Sequence, residues 1–395
     1  MNTTITGGLK MRKVKFVSMF VLLALLLSVT APNGAAQANS GIGKIRWLTY
    51  TDSRYGFSIE YPANWHVTPR DDRGVGGTVS FNSPNDPLKV EVGLYLAERT
   101  TATSLKEWTD QYDAAANAAA AFEPTEIQIK LERFVRVDGQ TALRREGVSP
   151  LTEFKYTNVP WGKTVWFIWT NSDDARAATY DHMVASFRFG KNTPATLQEA
   201  YGSDFQPLQL DCGTKIMPEQ ISRQPSDFAT LASDPAGHRL PFIGYRPIST
   251  GPGCYYTHQG QSYEAIDYSM PVGTPVLASF SGWIGWHGWV SGGWGNLLTI
   301  HHGSDYVSWY AHLNSFRANM WSGQGVSTGC LQAYSGNTGD TTGAHLHFEV
   351  RLNDWSVWIR TLPTTVWDSG DPNNPCQPPG YYDGYATGPT SPCYP

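Results

Sequence analysis

The stretch Gly343-Ala344-His345-Leu346-His347-Phe348-Glu349-Val350-Arg351 holds two imidazoles one residue apart in a run that ends in strand formers. On an extended chain, side chains two apart share a face, so His345 and His347 project together while Leu346 and Phe348 face the opposite layer. Paired imidazoles on one face suit metal chemistry. A lone His-x-His is also what two surface histidines look like, so the rest of the chain has to decide.

Other segments bear on that decision. The segment from His258 through Asp267 to Val276 reads as a loop entering a strand and then a tight turn, and Ser308-Trp309-Tyr310-Ala311-His312-Leu313 reads as an aromatic strand ending at a histidine. A Gly-rich turn over 335–343 leads into the His-x-His stretch. Catalytic zinc takes three protein ligands from histidine and carboxylate and leaves a fourth position for water, whose pKa falls towards neutrality on binding. Hydrolysis also needs groups that take the water's proton and steady the oxyanion, tasks that a second pair of histidines can perform.

In order, these motifs resemble those of the LytM/lysostaphin-type zinc metallopeptidases, cell-wall endopeptidases that cut short glycine-containing peptides in peptidoglycan. The resemblance covers residues 241–352. It runs through the Asp267 strand with Pro271-Val272-Gly273-Thr274-Pro275-Val276, then Gly282-Trp283-Ile284, Trp294-Gly295-Asn296-Leu297-Leu298-Thr299-Ile300-His301-His302-Gly303, Tyr310-Ala311-His312-Leu313, and Gly336-Asn337-Thr338-Gly339 before His345-Leu346-His347. Carried over position by position, it implies that Asp267 and His347 are zinc ligands and that His312 and His345 are the catalytic pair, with the base among those two left open. The common pattern places a histidine four residues before the aspartate, where this chain has Tyr263. A longer loop, as in the secreted LasA-like and β-lytic branch, makes His258 the first ligand, with His238 as the fallback. His287 reads as a groove wall or exposed turn, and His301 and His302 end a strand without a ligand role. The aromatic stretches 286–294 and 306–310 read equally well as core and as the rim of a peptide groove.

These residues need a frame. A chain of 395 residues suggests two domains on the usual scale of roughly 100–200 residues each. Its 16% charged fraction, with 39 Gly, 26 Pro, 15 Trp and 20 Tyr, favours β structure with many turns. Lys10, Arg12, Lys13 and Lys15 precede an apolar run over 16–29 and then Ala36-Gln37-Ala38, the pattern of a secretory signal peptide over 1–38. That run is short for a membrane span. Its removal leaves 25 basic and 34 acidic groups and a net charge of −9, an acidic exported chain with no stable membrane insertion and no basic patch for nucleic acid. Cys212, Cys254, Cys330, Cys376 and Cys393 lack Cys-x-x-Cys spacing and, after export, are disulfide candidates. Cys376 and Cys393 bracket a Pro/Gly/Tyr-rich tail and are expected to pair.

Ahead of the histidine-rich half, residues 55–61 alternate and break at Pro62, and 78–81 and 88–96 continue as strands. Ser104-Leu105-Lys106-Glu107 has capping-box form and opens an alanine-rich helix to Phe122. Strands over 126–136, 141–146 and 164–170, a helix over 174–186 and a last strand into Phe189 complete the pattern. The opening Tyr55-Gly56-Phe57-Ser58-Ile59-Glu60-Tyr61-Pro62-Ala63-Asn64-Trp65, the turn at Val137-Asp138-Gly139-Gln140 and the close Ser186-Phe187-Arg188-Phe189 resemble the bacterial PsbP-like domains, which implies binding or spacing and no enzyme chemistry.

The expectation is an α+β N-terminal PsbP-like sandwich, an antiparallel sheet with helices, over 47–190. A linker or lead-in over 191–240, a mainly-β LytM-type peptidase domain over 241–362 and the tail over 363–395 follow. The resemblance implies about one Zn2+ per chain on His258, Asp267 and His347, with peptidoglycan peptides as partners in a secreted or cell-envelope setting. The rivals are a cell-wall-binding or hydrolase-activating protein without catalysis, separable by zinc content, and a secreted peptidase acting on environmental proteins.

Overall fold

The computed structural model describes residues 45–99, 102–122, 125–171, 177–201, 238, 240–243, 245–251, 258, 260–303, 305–357 and 381–383. The expected signal peptide, most of the linker and tail, and Cys212, Cys254, Cys376 and Cys393 lie outside them. Cys330 is buried.

The N-terminal half opens with a hairpin of β1 (Trp47–Thr51) and β2 (Ser58–Pro62). There follow β3 (His66–Thr68), β4 (Thr78–Asn82), β5 (Lys89–Leu94), α1 (Leu105–Ala119), β6 (Gln128–Val137), β7 (Gln140–Val148), β8 (Glu153–Trp161), β9 (Thr164–Thr170), α2 (Ala177–Ser186) and α3 (Leu197–Tyr201). Strands β3 to β9 form one antiparallel sheet in the order β3-β4-β5-β9-β8-β7-β6. This is the expected α+β arrangement. Central β8 is absent from the sequence reading; its Pro160 lies near the strand's end opposite Val165, where a missing donor is tolerated.

Ser104 caps α1, its hydroxyl accepting from the Glu107 amide at 3.1 Å. The return arm of the box differs from expectation: the Glu107 carboxylate accepts from the Thr103 amide at 2.8 Å, one residue beyond the cap. The strand expected at Phe189 reduces to a single bridge between Ser58 and Arg188.

The C-terminal half is almost wholly β. It comprises β10 (Tyr245–Thr250), β11 (Ile266–Ser269), β12 (Pro275–Leu277), β13 (Gly282–Val290), β14 (Gly295–His301), β15 (Tyr306–Phe316), β16 (Gly325–Val326), β17 (Leu331–Ser335), β18 (His345–Leu352), β19 (Trp355–Ser356) and β20 (Tyr381–Asp383). The sheet runs β16-β13-β14-β15-β18-β11-β10-β20, with β17 pairing both β12 and β15. Its core is built from Ile266, Tyr268, Ile300, Tyr310, Leu346 and Phe348, each fully buried. Leu346 and Phe348 therefore anchor β18 while its odd-numbered side chains face the other way.

Every residue of β9 is buried because both faces of the first sheet are covered. Trp166 and Ile168 pack with Tyr180 and Met183 of α2. Phe167 and Trp169 face the other way and join Trp108 and Tyr112 of α1, and also Trp289, Trp294 and Trp309 from the C-terminal sheet, in one continuous apolar cluster. Trp289 stacks on Phe167 with centroids 4.3 Å apart, and the Trp169 indole donates to Ser291 O at 2.9 Å. Among the described residues no helix is long and apolar enough to cross a membrane.

A core shared by the two halves couples their stability. Trp289→Ala should cost about 3–5 kcal/mol, as large buried aromatics do, and calorimetry should show one unfolding transition moving down as a whole. Two separate transitions, with only one displaced, would contradict the shared core.

Candidate metal centre and catalytic cleft

Three neighbouring strands assemble the centre. In the antiparallel β11–β18 pair Asp267 lies directly opposite His347, and Ser269 opposite His345. On the other side of β18, Ala311 of β15 is paired with His347, which brings the next residue, His312, to the same end of the sheet. His258 reaches the centre from the segment before β11.

His258, Asp267 and His347 are all buried and offer ligand atoms within 4.8 Å of one another. His258 Nδ1 donates to the Gly251 carbonyl at 2.8 Å, which leaves Nε2 without a proton in the neutral ring and facing Asp267 Oδ1 at 3.2 Å. Two acceptors facing each other at that distance need a cation between them. His347 turns Nδ1 to the same oxygen at 2.9 Å. Its Nε2 lies 3.6 Å from Glu349 Oε1, too far for a hydrogen bond but within ionic reach. This donor set fits a metal ion, with the His258 ring held from its far side by the Gly251 carbonyl as metal-bound imidazoles usually are.

Charge around the centre favours that reading. Burial raises the Asp267 carboxyl, but the His258, His345 and His347 imidazoles packed around it hold it well below the usual range. Burial lowers the His347 imidazole, yet its contacts with Asp267 and Glu349 push it up to about 9. Burial also raises Glu349, while Arg351 and His347 bring it down to about 2. Arg351 donates to Glu349 at 2.7 Å and to Ser262 Oγ at 2.9 Å, and its guanidinium lies 3.7 Å from the centroid of the Trp309 ring. Sequence reasoning gave Glu349 and Arg351 no role. The signal was the same period of two that links His345 to His347.

The other histidine pair stands beside this centre, His312 and His345 having ring centroids 4.8 Å apart. His312 Nδ1 donates to Thr338 O and His345 Nδ1 to Gly343 O, each at 2.8 Å. A carbonyl can only accept, so both neutral rings keep an unprotonated Nε2; His345 Nε2 lies 3.7 Å from Asp267 Oδ1. Burial and the neighbouring His345 and His347 lower His312 well below the ordinary value, and burial lowers His345 despite Asp267. Both are therefore neutral near pH 7, as proton acceptors must be. His312 has φ of +58°, a left-handed conformation costing about 1–3 kcal/mol in a non-glycine residue.

The remaining candidates separate cleanly. His238, the fallback ligand, is buried against His302 at 4.4 Å between centroids and belongs to another cluster. Tyr263 is exposed. His302 lies 2.7 Å from Ser308 Oγ, and His301 stacks on Trp283. His287 is no exposed turn: it sits within β13 against Phe316, and burial with the nearby Arg317 lowers it to about 4. The aromatic stretches are core, with Trp289, Trp309 and Tyr310 buried; Trp294 alone also reaches the centre, 5.1 Å from the His347 ring.

A cleft of about 930 Å3 opens over the five residues. Residues 340–345, Trp294 and Arg351 line it together with Phe122, Pro150 and Leu151 of the N-terminal half.

Residues 261–358 match the family model of Peptidase family M23, so the C-terminal half carries a domain of that family. Among its relatives, the DD-carboxypeptidase/endopeptidase Mpg of Neisseria meningitidis is 36% identical over 128 residues, which are 32% of this chain and 26% of that protein. The glycyl-glycine endopeptidase ALE-1 of Staphylococcus capitis is 35% identical over 114 residues, 29% of each chain. The chain thus spans between a quarter and a third of the length of these two relatives. The solved structure of cyanobacterial PsbP from Synechocystis is similar over 40% of this chain and 100% of that one, with 16% identity and a TM-score of 0.29.

The two histidines of one strand face should fail differently. His347→Ala should abolish tight metal binding, whereas His345→Ala and His312→Ala should keep the metal, as read by metal analysis after dialysis. Equal metal loss in all three variants would require the centre to be redrawn.

Proposed function

We propose that the chain is an exported zinc endopeptidase that hydrolyses glycine-containing peptide bonds in peptidoglycan cross-links or stem peptides. The observation that carries this reading is the convergence of His258, Asp267 and His347 beside two neutral imidazoles in an open cleft. Two nitrogens and one carboxylate oxygen are a donor set that zinc takes in hydrolytic sites. The glycyl-glycine activity in the name of the staphylococcal relative supports the bond type, and the lysostaphin-type motifs support the wall substrate. The basic, apolar and Ala-x-Ala segments at the N-terminus support export.

His258 through Nε2, Asp267 through its carboxylate and His347 through Nδ1 would hold the ion. When bound, zinc polarises the scissile carbonyl and acidifies the attacking water. His312 and His345 present unprotonated Nε2 atoms, each able to take the water's proton. The ring that takes it becomes an N–H donor, able to steady the tetrahedral oxygen or protonate the leaving amine. Thr338 O and Gly343 O fix both rings through Nδ1, so the proton is exchanged at Nε2. Glu349 and Arg351 keep His347 in orientation from behind.

Purified protein should release new glycine-bearing termini from defined peptidoglycan fragments, read by mass spectrometry. A chelator should stop this and zinc restore it. His312→Ala should retain zinc and lose about 10²–10⁴-fold in kcat, the range for a lost general base. A zinc-loaded wild type that leaves every fragment intact overturns the reading in favour of a wall-binding protein.

A further inference from the structure

The left-handed backbone at His312 must be held in place by its surroundings, and the N-terminal half supplies much of the hold. Two stretches of the C-terminal half flank His312. One is its own continuation, 313–316; the other is the loop 337–341, which carries the Thr338 carbonyl that His312 Nδ1 bonds.

The N-terminal half grips both. On the first stretch, Val75 and Phe316 exchange backbone hydrogen bonds at 2.8 and 2.9 Å. The Asp71 amide donates to Asn314 Oδ1 at 2.5 Å. Thr78 Oγ1 accepts from Asn296 Nδ2, which also donates to the carbonyls of Leu313 and Asn314, all at 3.1 Å. On the loop, Glu91 Oε2 accepts from the Gly339 amide at 2.8 Å, while Oε1 accepts from Ser80 Oγ at 2.6 Å. Lys89 Nζ donates to Asn337 O at 2.9 Å and to Thr341 Oγ1 at 2.6 Å. Asn171 donates to Asp340 at 3.0 Å.

Lys89 and Glu91 are 2% and 0% exposed. They stand on one face of β5, while Val90 and Val92 fill the core of the N-terminal half on the other. A buried polar group is costly unless its hydrogen bonds are made, which ties it to one geometry among several. Here the geometry it fixes is the loop's. At Gly339, φ is +75° and a Cβ would meet Gly293 O at 2.2 Å, so the loop passes through one narrow place.

We propose that the N-terminal half is the positioning element of the catalytic histidine: Lys89 and Glu91 set the loop 337–341 so that Thr338 O holds His312 with Nε2 aimed into the cleft. Lys89 and Glu91 are positioning residues, since they act through the loop. The proposal takes His312 as a working base from the endopeptidase reading, but the ring's tautomer can be observed without turnover.

The test uses the full zinc-loaded chain with Lys89→Met/Glu91→Met, two apolar replacements of similar length. The variant should melt close to wild type, hold the same zinc and keep its KM. Its kcat should fall by about tenfold or more, because displacing a reacting group by about 1 Å can cost roughly 10²-fold. Nitrogen-15 spectra of the imidazoles should show the single Nδ1–H tautomer of His312 in wild type and its loss in the variant. Lys89→Met/Glu91→Gln, whose amide oxygen can still accept from the Gly339 amide, should recover part of both. If the double-methionine protein does not fold, Thr78→Val, which removes the support under Asn296, should reproduce the fall in kcat and the tautomer change. An unchanged kcat and tautomer in a folded variant overturns the proposal, as does a rise in KM alone, which would place the N-terminal half against substrate. Tautomer loss in a chain whose wild type cleaves nothing upholds the positioning role and rejects the endopeptidase reading.

Discussion

The centre depends on one register. Asp267 of β11 stands directly across the ladder from His347 of β18, and Ala311 of β15 stands on that histidine's other side. Side chains on a strand alternate with a period of two, so a slip of one residue in either pair would turn the candidate ligands into the core and the core into the cleft. Leu346, Phe348 and Val350, each fully buried, hold β18 against that slip. The apolar half of the strand thus specifies where its polar half points.

That polar half is graded along its length. His345 faces the cleft, His347 faces the aspartate, Glu349 stands behind His347, and Arg351 neutralises Glu349 while lying over Trp309. Buried charges are costly unless paired and hydrogen-bonded, and each charge in this row has its partner on the next turn of the pleat or on a neighbouring strand. Imidazoles beside Asp267 are anchored by carbonyls at Gly251, Thr338 and Gly343, which sets which nitrogen carries the proton. Tautomer choice here is a backbone property.

The two halves of the chain share a tryptophan-rich core, and that changes what the N-terminal half is for. It covers the sheet face next to the centre, lines part of the cleft and holds the loop behind His312. Glycine 74 shows how close the approach is: a Cβ there would lie 2.2 Å from Ser315 Oγ. A spacer would need none of these contacts.

The sequence by itself offered the candidates. The His-x-His period puts two donors on one strand face, and the resemblance to the lysostaphin-type peptidases, carried over position by position, implies roles for His258, Asp267, His312, His345 and His347. About half of the strands and the long helix were legible too, from alternation and from the cap at Ser104. Only the tertiary structure decided the rest. That His258, and not the fallback His238, stands beside Asp267 is a matter of three-dimensional reach, which brings its Nε2 there. The aromatic stretches are core because another sheet lies against them, and His287 is half-covered by Phe316 of β15. Lys89 and Glu91 are the polar residues of an alternating strand; they are buried because residues some 250 positions further along the chain close over them. Burial by a distant segment leaves no mark in a local pattern.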